Sequence, residues 1–155
     1  MLRNALILIA FTLLGINADL LGQSPPKAIN GHLDLTSWDF SENRSLLLEG
    51  EWDFYWKSFR DSIDDSSVKN IAEVPGLWND IPITNGNSFG YGTYELEIFL
   101  PENHPRMAVS IPDMYSAYSF EINGKYFSSD GKIAKNKEAY IPLFNTYTRA
   151  IPTRK

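Results

Sequence analysis

Five carboxylates fall at alternate positions on two short stretches, Glu49, Glu51 and Asp53 on one and Glu95 and Glu97 on the other. Two acids about 5 to 10 Å apart are the machinery of glycoside hydrolysis, one protonating the leaving oxygen while the other attacks or activates water. Side chains two apart on a strand point the same way, so the spacing suits such a pair. An outward row of acids is also the ordinary solvated face of a half-buried sheet, and that reading is preferred here. A serine nucleophile would need a Gly-x-Ser-x-Gly elbow, which the chain lacks. His32 stands at the entry to the patterned region and His104 in the turn between Pro101 and Pro105, both read as surface residues with no context that makes either a base. Asp61, Asp64 and Asp65 lack the Asp-x-Asp-x-Asp-Gly spacing of a calcium loop. The chain has no cysteine, so disulfides and thiolate metal sites are excluded. The expectation is a protein that is not an enzyme, with no catalytic residue, metal site or cofactor.

Binding chemistry is better represented. Carbohydrate recognition uses an aromatic face for the C–H surface of the sugar and planar polar groups for its hydroxyls, set on loops. Two loops carry that mixture: Trp78, Asn79 and Asp80 after the Pro75-Gly76 turn, and Asn85, Asn87, Phe89 and Tyr91 in a Gly-containing stretch. The candidate ligand-binding residues are therefore Trp78, Asn79, Asp80, Asn87, Phe89 and Tyr91. The competing structural role is that Trp78 plugs the end of the fold and Tyr91 merely opens a strand.

The elements that must position these loops repeat with period two. Over residues 48–56, Leu48, Gly50, Trp52, Phe54 and Trp56 share one face, and Glu49, Glu51, Asp53 and Tyr55 the other. Each large aromatic turned inward hides roughly 150 to 250 Å², so Trp52 and Phe54 alone stabilise the fold by several kcal/mol at about 25 cal/mol per Å². Residues 93–100 repeat the pattern, with Tyr94, Leu96, Ile98 and Leu100 inward and Thr93, Glu95, Glu97 and Phe99 outward. Met107, Val109 and Ile111 form a third inward set and Tyr118, Phe120 and Ile122 a fourth, all expected in one sandwich core. Asn123-Gly124 accepts positive φ at both central turn positions, which folds strand 117–122 back on residues 125–128; Asp130-Gly131 closes the next turn. Residues 58–73 are polar, with Phe59 and Ile63 spaced like one side of a short helix, and read as a surface excursion.

The N-terminus has the anatomy of a signal peptide over residues 1–18. A basic start containing Arg3 precedes an apolar run at residues 5–16 and the small residue Ala18, a run shorter than the roughly 20 residues a spanning helix needs. Leu20 and Leu21 leave a retained N-terminal membrane anchor as the alternative. Residues 19–27 form a polar, Pro-containing spacer, 28–144 the folded domain, and 145–155 an irregular tail without the alternation of a strand. Export without cysteine suits a bacterial periplasm or outer surface. With 19 acidic against 14 basic side chains and no Lys/Arg cluster behind an aromatic strand, nucleic acid is not an expected partner.

The order of motifs resembles a known class. Gly31, Leu33, Asp34, Leu35 and Trp38, then Leu48-Glu49-Gly50-Glu51-Trp52-Asp53-Phe54-Tyr55-Trp56, Val74-Pro75-Gly76-Leu77-Trp78-Asn79, Gly90-Tyr91-Gly92-Thr93-Tyr94 and Asn123-Gly124-Lys125 are similar to two related groups across residues 29–144. One is the sugar-binding domain of family 2 glycoside hydrolases. The other, closer in its aspartate-leucine start and the Phe-Tyr-Trp ending of the first strand, is the extracellular sensor domain of bacterial seven-transmembrane receptors with diverse intracellular signalling modules. The resemblance implies an all-β, galactose-binding-like jelly-roll β-sandwich that takes a small carbohydrate-like ligand. In the receptors such a domain is followed by seven membrane helices and a signalling enzyme. The expectation is a non-catalytic sensor domain, freestanding or severed from a membrane-embedded receptor portion and short of its last strand or strands; the alternatives are an accessory domain of a secreted hydrolase and a purely structural interaction module. The resemblance carries over no binding residue.

Overall fold

The computed structural model describes residues 24–143 and 145–151. The signal peptide expected at 1–18 lies outside the described residues, as do the first part of the spacer and the last residues of the tail. Among the described residues the structure is mostly strand with almost no helix, compatible with an all-β fold: nine strands are named, and the helical turns are three single 3₁₀ turns, at Arg60–Ser62, Trp78–Asp80 and Pro82–Thr84.

β2 (Gly50–Trp56) is the centre of the fold, flanked antiparallel by β3 (Asn70–Val74) and β4 (Gly92–Glu95). Its inward aromatics behave as their spacing requires. Phe54 is fully buried, while Trp52 and Trp56 are half-covered and pack on core clusters. The opposite face is not simply wet, because Glu51, Asp53 and Tyr55 are half-buried too. Residues 28–31 run along the start of β2, with the Ala28 N–H donating to the Glu49 carbonyl (2.8 Å) and the Gly31 N–H to that of Glu51 (3.0 Å).

β1 (His32–Asp34) continues that segment and pairs in parallel with β5 (Glu97–Phe99). The expected single strand at 93–100 is thus broken at Leu96: its first half pairs with β2, and its second half takes β1 as neighbour. This exchange of partners divides the core. Leu96 and Leu100 join Ala28, Leu33, Leu35 and Trp38, whereas Tyr94 joins Phe54, Ala72 and Ile81. The single core expected from the four inward sets is therefore not found among the described residues: Trp52 serves the first cluster and Trp56 the second, while the third and fourth sets join neither, although Ile111 and Phe127 are buried. Ile98, expected inside, is exposed along with the rest of β5.

Two further departures come from short strands with weak apolar patterning. Residues 70–74, of which 70–73 belong to the expected surface excursion, form β3, where Ala72 alone is buried and lies against the Phe54 cluster. Instead of a short helix, the excursion holds one 3₁₀ turn and an Asp64-centred turn, in which the carboxylate accepts from the Ser66 N–H (2.9 Å) and hydroxyl (2.7 Å). The tail, expected to be irregular, contains a strand antiparallel to β6 (Ala108–Ile111) that pairs Ala108 with Ala150. β7 (Tyr118–Ile122) and β8 (Lys125–Asp130) form the expected hairpin, with Asn123 at φ 53° and Gly124 at φ 70°. The tail strand, β9 (Tyr147–Ala150), is tied to that hairpin by Arg149, whose guanidinium donates to the Phe127 carbonyl (2.7 Å) and lies 5.5 Å from its ring centroid. Asn145 donates to both oxygens of the buried Asp130 at 3.1 Å, so the approach to β9 is fixed as well.

Candidate functional site

The two loops singled out from sequence are consecutive, connecting β3 to β4. A cis Val74-Pro75 bond turns the chain out of β3, and the 3₁₀ turns at Trp78–Asp80 and Pro82–Thr84 follow. Thr84 is fully buried, its hydroxyl donating to the Ile81 carbonyl (2.9 Å). Asn85 then adopts the left-handed conformation before Gly86, reversing the chain towards β4.

This path separates the expected site residues into two groups. Trp78 turns into the Phe54 cluster and meets Trp56 edge-on, ring centroids 5.6 Å apart. Asn79 is half-buried and Asp80 exposed. The Asn87 amide is spent within its own loop, donating to the Thr84 carbonyl at 2.6 Å. Phe89 and Tyr91 form the second group. They flank Gly90, which lies so close to the rim of the Trp56 indole that a Cβ there would overlap it. Phe89 is 37 % exposed and meets Tyr140 edge-on at 6.0 Å, while Tyr91 is half-buried against Phe59 at 4.8 Å. The Lys135 ammonium lies 5.6 Å from the Phe59 centroid and 6.0 Å from that of Tyr91.

The result is two aromatic pairs on one loop, half-buried except at Phe89, with a cation beside the Phe59–Tyr91 pair. Phe59 reaches Tyr91 because the end of β2 is held alongside β4 by three contacts. The Lys57 N–H donates to the Tyr91 carbonyl (2.9 Å), the Thr93 hydroxyl donates to the Ser58 carbonyl (2.9 Å), and Arg60 pairs with Glu95 (3.0 Å). Tyr140 is held from the other side by its hydroxyl, 3.2 Å from that of Ser116 and accepting from the Ala117 N–H at 3.3 Å. Phe59, Lys135 and Tyr140 escaped the sequence reading. Phe59 looked like one side of a short helix, and nothing in the spacing of Lys135 or Tyr140 links them to residues 89–91.

The carboxylates that raised the question of glycoside hydrolysis are each engaged. Glu49 pairs with Lys27 (3.2 Å), Asp53 with Lys69 (3.0 Å), Glu95 with Arg60, and Glu97 with His32 Nε2 (3.2 Å), while Glu51 accepts from the Asn30 N–H (3.0 Å). Bonding to Asp53 pushes the Lys69 ammonium pKa up. Partial burial, followed by the charges of Glu95 and Asp53, pushes the Tyr55 hydroxyl up in the same way. Both histidines are exposed, as expected; the His32 ring also stacks on Phe99, 6.0 Å between centroids.

Two depressions lie elsewhere. One of about 240 Å³ sits between β6, β8 and β9, lined by Val109, Phe127 and Arg149 among others, and one of about 520 Å³ lies between residues 36–41 and 101–105. None of the six residues expected at the site lines either. Comparison with protein-family models, with curated proteins and with solved structures finds no match to this chain.

Proposed function

We propose that this chain is a non-catalytic carbohydrate-binding domain of the jelly-roll class, exported from a bacterial cell and serving as the sensor domain of a signalling receptor. The observation that carries the binding part is the surface built by Phe89 with Tyr140 and Tyr91 with Phe59, where two aromatic pairs from distant segments meet on one loop. Aromatic faces at a loop, with hydrogen-bonding groups at their margins, suit the alternating C–H and hydroxyl surface of a sugar. All five strand carboxylates have a partner within 3.2 Å, as suits the solvated face of a half-buried sheet. The sensor role and the export rest on the ordered motifs and the N-terminal residues described above.

Calorimetric titration of the full chain with neutral and acidic oligosaccharides tests the reading. Saturable binding by at least one saccharide, weakened by Phe89→Ala in a variant that circular dichroism shows to be folded, is expected. Failure of every saccharide to bind with a Kd below ~10 mM, an affinity of only about 3 kcal/mol, would remove it.

A further inference from the structure

The charge beside the aromatic surface narrows the ligand. The protein is acidic overall, at a formal −5, yet residues 132–137 carry Lys132, Lys135 and Lys137. Among the described residues, the ion pairs involve Lys27, Arg60, Lys69 and His32, and Lys135 belongs to none of them. Its ammonium instead lies over Phe59 and Tyr91. The neighbouring cation, Arg60, is already committed to Glu95 at 3.0 Å. A cation facing two rings gains from their negative faces, but that leaves its charge unneutralised and its hydrogens free for an acceptor.

Resting on the carbohydrate reading above, we propose that the surface takes an acidic saccharide, with its anionic substituent, carboxylate or sulfate, on the Lys135 ammonium and its sugar ring across the Phe59–Tyr91 edge. The distances suit one ligand for both contacts: the ammonium lies 5.6 Å from the Phe59 centroid and 6.0 Å from that of Tyr91, about the width of a sugar ring. Specificity follows from the mismatch. A neutral sugar would leave the ammonium without a counter-charge, and an anion without a sugar ring would leave the aromatic pair unused.

The test is calorimetric titration of the full chain with three probes of equal length: a neutral galactose oligosaccharide, an oligogalacturonate and a sulfated galactose oligosaccharide. The expected result is that at least one anionic probe binds tenfold or more tighter than the neutral one and weakens as salt is raised. Which anion wins identifies carboxylate or sulfate. Lys135→Gln should weaken that binding about three- to tenfold, the range for a partly solvated charged contact, while Lys135→Arg retains it. Lys125→Gln, an exposed change at the start of β8, should alter nothing. Equal affinity for neutral and anionic probes, with Lys135→Gln indistinguishable from the parent, overturns the acidic preference and leaves carbohydrate binding standing. Binding of none of the three overturns the acidic-saccharide proposal, and the carbohydrate reading falls with it when the wider oligosaccharide series fails as well.

Discussion

Replacing Trp78 by alanine separates the two roles that its position allows. The side chain is half-buried against the Phe54, Ala72 and Ile81 cluster and edge-on to Trp56 at 5.6 Å. A tryptophan hides about 200 Å² when fully enclosed, and about half of that, at ~25 cal/mol per Å², is worth ~2.5 kcal/mol. The edge-to-face contact contributes about 0.5 kcal/mol or more beyond area, so a loss of ~3 kcal/mol is expected, at the low end of the range for deleting a core aromatic. At about 4 °C per kcal/mol for a domain of this size, the melting temperature should fall by roughly 12 °C. Far-UV circular dichroism is the suitable probe, because deleting an indole that touches another changes the fluorescence baseline. Phe89→Ala removes a ring that is 37 % exposed and meets Tyr140 edge-on, so by the same arithmetic it too should lower the melting temperature by several degrees; what sets it apart is the loss of sugar affinity in a chain still folded at the assay temperature. If Trp78→Ala melted within about 2 °C of the parent, its assignment to the core would be refuted, and a concurrent loss of ligand would return it to the binding surface.

Three other outcomes follow from local geometry. Gly124→Ala should cost about 1 kcal/mol through its φ of +70° alone, since nothing lies within 4 Å of a Cβ there, whereas Gly90→Ala should cost more by colliding with Trp56; urea midpoints of the two variants give the order. Asp34, Asp39 and Asp64 are held below the usual carboxylate range, chiefly by the Thr36, Ser41 and Ser66 hydroxyls and then by the backbone N–H groups of those residues. Their folded-state pKa is depressed, so their contribution is present above the unfolded value of 3.8 and lost as pH falls through the lower folded value; replacing all three hydroxyl residues by alanine should flatten the acid limb of a urea-midpoint profile. Burial pushes the Tyr94 hydroxyl up to about 12, so the folded state keeps its proton after the unfolded chain has lost it, and stability should drop as pH rises from 10 towards 12. Tyr94→Phe should remove that part of the alkaline loss, read from thermal melts across the same range.

Much of the fold was legible because a strand with one buried side must alternate. Trp52, Phe54 and Trp56 could be assigned inward from spacing, and Asn123-Gly124 named its hairpin because few residues other than asparagine and glycine accept positive φ in succession. β3 was missed because its buried residue is a single small one, Ala72, and β9 because its residues show no alternating apolar run and its hold on the fold comes from Arg149 and its pairing with β6. At the candidate site, Phe89 and Tyr91 are accessible from composition, whereas the structure engages the amide of Asn87 within its loop and packs Trp78 on the core.

The amino-acid order by itself determined that this chain is built of strands, which faces of them are apolar and where the tightest turn falls, since those properties belong to neighbouring residues and their side-chain period. Tertiary structure alone decided that the 93–100 run changes partner at Leu96, that β1 lies parallel to β5, and that Phe59, Tyr140 and Lys135 come to the loop of Phe89 and Tyr91. The physical reason is the same in each case. Strands join through backbone groups that nearly every residue carries, so the pattern that tells which side of a strand is buried does not tell which strand lies beside it.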